Sequence, residues 1–160
     1  MALSTIGTNS IADDAVTAAK ATGFGKIGQI VSGTQTADMS SSSTSYVQNF
    51  SVQITPVATS SKIAVISHSG RLDTNSSGAA IAVAIYRDST NITNYTQGGA
   101  QGRFESANAS LGNVSINLVD SPNSTSQLTY YMYYKSENGS HTVFLNNDAL
   151  TSMILMEILA

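Results

Sequence analysis

From residue 46 onward the chain is written in a period of two. Residues 46–55, 62–72, 79–87, 91–95, 113–119, 128–135, 141–145 and 152–159 set apolar side chains at alternate positions, and 26–31 forms a similar run ahead of them. Alternation over such short lengths marks strands with one buried face, because successive side chains of an extended chain point to opposite sides. The runs are separated by Thr55-Pro56, Asn75-Ser76-Ser77-Gly78, Gly98-Gly99, Ser121-Pro122-Asn123 and Glu137-Asn138-Gly139-Ser140, all residues that close turns. Nine short strands within 160 residues predict one all-β domain, a jelly-roll-like antiparallel β-sandwich.

The surface of this sandwich must be wetted without charge. Only 11% of residues are charged, against roughly 25% in ordinary globular chains, while Ser, Thr and Asn abound. A net charge of -3 with seven scattered Lys and Arg provides no basic stripe to neutralise phosphates, so neither nucleic acid nor an anionic membrane is expected as a partner. With no cysteine, disulfides, thiolate catalysis and sulfur-based zinc sites are excluded. No apolar stretch approaches the ~18 residues of a membrane span, and Met1-Ala2-Leu3-Ser4-Thr5-Ile6-Gly7 lacks the features of a signal peptide. A soluble product made in the cytoplasm is the expectation.

Residues 1–25 differ from the rest and are read as an N-terminal arm, with 26–160 as the knob. Asn9 or Ser10 is placed to cap a short helix over 11–20, with Asp13 and Asp14 at its positive end and Lys20 at its negative end. At about ten residues such a helix is too short to persist alone in water. It should order against a partner surface, with Gly23 and Gly25 as a joint.

Three strands carry apolar side chains on both faces, which points to self-association. In 79–87, Ile81, Val83 and Ile85 alternate with Ala80, Ala82 and Ala84. In 128–135, four tyrosines divide two to each face, leaving Tyr131 and Tyr133 for an interface, a rim or a sugar-stacking platform. In the last strand Ile154, Met156 and Ile158 oppose Met153 and Leu155. Glu157 within this strand needs a partner, and Arg87 or Lys62 is expected to supply it.

Nothing local proposes catalysis. His68 and His141 stand in no metal-type spacing, and Ser67-His68 has no nucleophile elbow around it. Asp73-Thr74-Asn75-Ser76-Ser77-Gly78 imitates the opening of a calcium loop, but its twelfth position is Ala84 instead of a bidentate Glu, so a β-turn is expected. Gly23-Phe24-Gly25-Lys26 and Gly98-Gly99-Ala100-Gln101-Gly102-Arg103 match no phosphate loop and read as hinges. No catalytic residue, metal ligand or cofactor is assigned.

Ser51-Val52-Gln53-Ile54-Thr55-Pro56 with Ser60-Ser61-Lys62-Ile63, then Ile85-Tyr86-Arg87-Asp88-Ser89-Thr90, Asp120-Ser121-Pro122 with Thr129-Tyr130, and Met153-Ile154-Leu155-Met156-Glu157-Ile158 together resemble β-sandwich domains of tailed-bacteriophage virion proteins, particularly fibres and appendages of marine phages. Residues 11–20 are similar to segments near the N-termini of phage fibre proteins that attach or intertwine three chains. The resemblance implies a homotrimer on the virion surface, a capsid decoration, cement or short fibre knob without enzymatic activity. Ala80, Ala82, Ala84, Tyr131, Tyr133, Ile154, Met156 and Ile158 would then form the trimer interface. Leu3, Ile6, Ile11 and Val16 would anchor the arm to the major capsid protein or another virion component. The alternative is a receptor-binding adhesin that grips a host glycan with the loops around 75–78 and 91–102. Twenty-five residues ahead of the knob leave no room for a fibre shaft, which favours a squat fitting.

Overall fold

The computed structural model describes residues 26–93, 100–103, 110–146 and 148–159. Thirteen strands make up this part of the chain, with no helix among the described residues: β1 Lys26–Gln35, β2 Met39–Ser41, β3 Val47–Ile54, β4 Lys62–His68, β5 Leu72–Thr74, β6 Ala80–Arg87, β7 Thr90–Asn91, β8 Ala100–Arg103, β9 Ser110–Leu111, β10 Ser115–Asp120, β11 Leu128–Ser136, β12 Val143–Leu145 and β13 Thr151–Leu159.

They form three antiparallel sheets. The first runs β1-β13-β4-β10, and the second runs β3-β11-β6 with β7 and β8 both on the far edge of β6. The chain passes back and forth between these two layers, from β3 to β4, back to β6, then through β10, β11 and β13. That is the β-sandwich the alternating runs predict. The third sheet, β2-β12-β5-β9, repeats the strand order of the first. Each of its strands adjoins the corresponding first-sheet strand in sequence, so the third sheet is the first one continued past a transverse kink.

Alternation explains the core. Ile63, Val65, Ile116, Met153 and Leu155 point inward from the first sheet to meet Phe50, Val52, Ile54, Ile81, Val83, Ile85, Tyr130, Met132 and Tyr134 from the second. Leu72, Val143 and Leu145 extend this cluster into the third sheet. The layers approach closely at Gly33, where a Cβ would fall 2.7 Å from Val52 Cγ2, so only a residue without a side chain fits between them.

Where four strands kink together, backbone groups lose their ladder partners and side chains take over. The Ser69 N–H donates to Val114 O at 3.0 Å, and Ser69 Oγ accepts the Val114 N–H at 3.0 Å. Thr151 Oγ1 donates to Ser69 O at 2.6 Å and also meets Asn146 Oδ1, whose amide donates to Ala37 O at 3.0 Å. Ser69, Asn146 and Thr151 are fully buried, and together they form a polar seam across the sheet. Gly70 and Asn146 turn the chain there with φ of 69° and 70°, conformations open to Gly and tolerated by Asn.

Residues 11–20 and the anchor positions Leu3, Ile6, Ile11 and Val16 lie outside the described residues.

Candidate functional site

The outer face of the first sheet is apolar where a solvated sheet should be polar. The ladder sets Ile27, Ile158 and Lys62 in one row, then Ile30, Met156, Ala64 and Val119, then Ser32, Ile154, Ile66 and Asn117. Only the fourth row, Thr34, Ser152, His68 and Ser115, is polar throughout. Ile30, Val119 and Ile27 remain 59%, 58% and 49% exposed, with Ile66 and Ile154 also exposed. These side chains are neighbours across four strands and make one contiguous apolar surface, unlike single exposed leucines scattered over a protein.

This arrangement separates the eight expected interface residues into two groups. Ile154, Met156 and Ile158 stand on the apolar face just described. Their alternates Met153, Leu155 and Glu157 are wholly enclosed by the chain itself. Ala80, Ala82, Ala84, Tyr131 and Tyr133 lie on the outer face of the second sheet. Ala82 and Ala84 are fully buried within one copy. Ala84 faces Tyr133 across the ladder and Ala82 faces Lys135, and long neighbours on the same face shelter a methyl group without any second chain. Ala80, Tyr131 and Tyr133 are half-buried.

The tyrosine face is a packed aromatic cluster. Tyr86 pairs with Tyr131 in the ladder, while its ring lies 4.5 Å from that of Tyr133 and 5.8 Å from that of Tyr46, edge-on. Lys135 Nζ sits 5.1 Å from the Tyr46 ring centre and 3.1 Å from Glu137 Oε1, so the ammonium is held between a π face and a carboxylate. Burial, with the Tyr86 and Glu137 charges adding to it, pushes the Tyr46 phenol up to about 12. Beside the rings opens a cleft of about 530 Å³, walled by Tyr46, Tyr86 and Tyr133 and rimmed by Asp88, Ser45 and Ser89.

Glu157 is fully buried, but neither Arg87 nor Lys62 holds it. Its carboxylate accepts the Gln29 amide at 2.7 Å and the Val57 N–H at 2.8 Å. Burial alone would raise its pKa, and these hydrogen bonds outweigh burial and hold it below the usual carboxylate range. Arg87 instead grips both oxygens of Asp120 at 2.7 Å, and Tyr130 Oη donates to the same carboxylate at 2.7 Å.

Adjacent positions on a strand face opposite ways, and this separates Ser67 from His68. Ser67 points inward and donates to Ile116 O at 2.8 Å, whereas His68 lies outward with Nδ1 accepting the Gly70 N–H at 3.1 Å. The Asp73 carboxylate is held by Arg71 at 2.9 Å, and Gly78 turns the chain with φ of 73°, as a β-turn requires. Among the described residues no group of three or more His, Asp or Glu is placed to hold a metal ion.

No model of a protein family matches this chain, and no curated protein matches it.

Proposed function

We propose that this chain is a non-enzymatic structural protein of a bacteriophage virion, a homotrimeric knob that decorates or cements the particle or serves as a short fibre fitting. The observation that supports this reading is the apolar outer face of the first sheet. Each large aliphatic side chain removed from water contributes about 1.5–3 kcal/mol when fully buried, and a face carrying Ile27, Ile30, Ile66, Val119, Ile154, Met156 and Ile158 gives three copies a surface to close upon. The virion assignment rests on the sequence resemblance, and residues 1–25 are the proposed attachment arm. An arm that docks weakly by itself gains from three linked copies, because the second and third engage at high effective concentration.

Analytical ultracentrifugation tests self-association directly. The intact chain is expected to sediment as a trimer, and Ile154→Asp or Ile66→Lys is expected to release folded monomers. A stable folded monomer of the unaltered chain at high concentration would overturn the trimer. Deleting residues 1–20 should leave the oligomer soluble but absent from purified particles, and retained incorporation would overturn the arm's role.

A further inference from the structure

The cleft beside the tyrosine cluster lies on the opposite layer from the apolar face, and self-association as proposed above does not use it. We infer that it is a carbohydrate site that takes a neutral pyranose. A pyranose has the same two-sided chemistry as this cleft: its axial and ring C–H groups form a weakly apolar face, and its hydroxyls project around the rim. Tyr133 and Tyr86 supply ring surface from two adjacent strands, with Tyr46 closing the wall. Aromatic rings with phenolic ends suit ligands that are apolar on one side and wet on the other. The volume of about 530 Å³ lies within the range of small-ligand sites, roughly 300–1,000 Å³.

The polar rim is built to accept hydroxyl protons. Asp88 is pinned at the turn after β6, where its N–H donates to Thr129 O at 2.7 Å and its Oδ1 accepts the Thr129 N–H at 3.0 Å. This reciprocal clasp holds a non-glycine residue at φ of 50°, a conformation that costs about 1–2 kcal/mol. Oδ2 has no hydrogen bond among the described residues and remains an acceptor for a ligand hydroxyl. The hydroxyls of Ser45 and Ser89, both in the cleft lining, are able to donate as well as accept.

Charge selects the kind of saccharide. Lys135, the one cation of the lining, is committed to Glu137 just outside it at 3.1 Å, which leaves Asp88 as the uncompensated charge of the cleft. A uronic or sialic acid would meet net negative charge, as would a phosphate. A neutral hexose or N-acetylhexosamine would not. The contiguous apolar face that a protein partner would cover lies on the other sheet.

Saturation-transfer NMR on the intact protein tests this, with the methyl glycosides of glucose, galactose, mannose and N-acetylglucosamine as neutral probes and glucuronic acid as the acidic one. Transfer to the C–H protons of at least one neutral glycoside is expected, with saturable binding in a titration. Asp88→Asn, which preserves the turn and removes the charge, should weaken that binding about tenfold, and Tyr133→Ala should abolish it. Tyr133→Phe should retain it, which separates loss of a ring face from loss of fold. Three results would overturn the site: no neutral glycoside bound at tens of millimolar, binding confined to glucuronic acid, or affinity unchanged in both Asp88→Asn and Tyr133→Ala. So would dissociation of the oligomer by Tyr133→Ala with its fold intact, since the cleft would then be a subunit contact. Monomeric behaviour of the unaltered chain would overturn the trimer alone and leave the carbohydrate site standing.

Discussion

Gln29 donates from Nε2 to Glu157 Oε2 at 2.7 Å, joining the first strand to the last across 128 residues of chain. A bulge makes the contact: between Ile27 and Ile30 the register with β13 shifts by one residue, and the extra residue turns the Gln29 amide toward the buried carboxylate. The same Nε2 reaches Thr55 O at 2.8 Å, so the bulge also fastens the turn that supplies the Val57 N–H. Gln29→Ala leaves a buried carboxylate short of a donor and should cost about 1–3 kcal/mol. Urea unfolding would register this as a lower midpoint with unchanged slope.

The same carboxylate sets an acid limb. Its pKa in the folded chain lies below the ordinary 4.5, so its stabilising contribution is whole above about that pH. The contribution fades as pH falls through the depressed folded value. Glu157→Gln should therefore flatten the acid limb of a stability profile while changing it little in shape at neutral pH. A variant profile parallel to that of the unaltered chain throughout would rule this out.

Asp120 ties the two layers, since it stands on the first sheet and accepts from Arg87 and Tyr130 on the second. Tyr130→Phe should cost about 1–3 kcal/mol. Asp120→Ala should cost more, about 2–4 kcal/mol with allowance for the partly exposed guanidinium, because it strands both donors. A double-mutant cycle between Tyr130 and Asp120 should return a coupling of about 1 kcal/mol or more.

Two glycines with nearly the same backbone angle separate conformation from packing. Gly78 has φ of 73° and open space around it, so Gly78→Ala should cost only about 1–2 kcal/mol. Gly70 has φ of 69°, but a Cβ there would meet Asn146 Oδ1 at 2.9 Å and the Leu150 carbonyl at 3.1 Å. Gly70→Ala should cost on the order of 3 kcal/mol or more because it also pushes the kink seam apart. Equal thermal shifts in the two variants would refute the seam's tight packing.

Alkaline pH should unfold the domain through its tyrosines. Burial raises the phenols of Tyr130, Tyr134 and Tyr46, with a hydrogen bond to Asp120 adding at Tyr130 and nearby charges adding at Tyr46, which reaches about 12. Their contribution is whole below the ordinary value of 10.0 and is lost as pH rises through the folded values. Part of the tyrosinate absorbance should therefore appear only together with unfolding. Tyr46→Phe should move the alkaline midpoint upward.

Strand parity was legible because a period of two is a local signal. Ile154, Met156 and Ile158 could be assigned to one face, and Ile81, Val83 and Ile85 to the core, without any knowledge of what lay opposite. Breaks within strands were harder to read. Residues 62–72 look like one run, but the chain kinks at Ser69-Gly70 to enter the third sheet, and the cue is a single serine-glycine pair. Ala100–Arg103 reads as part of a glycine hinge, because this short edge strand carries polar and small residues without an inward stripe. The partner of Glu157 was out of reach for another reason. Charge complementarity favours a cation, whereas the fold brings a neutral amide from the far end of the sequence through a bulge that no local pattern announces. The burial of Ala82 likewise depends on Lys135, which becomes its neighbour only through the ladder.

Lys26 pairs with Leu159 in the register of the first sheet. The knob is thus entered and left through adjacent doors at one pole, as in domains that can be spliced into the loop of another protein. A label or carrier fused after the last strand would crowd the side where the first strand begins, to which the proposed arm, residues 1–25, is joined. Reporters intended to leave docking undisturbed belong instead in the turn at Asn75–Gly78, where the chain is open to solvent.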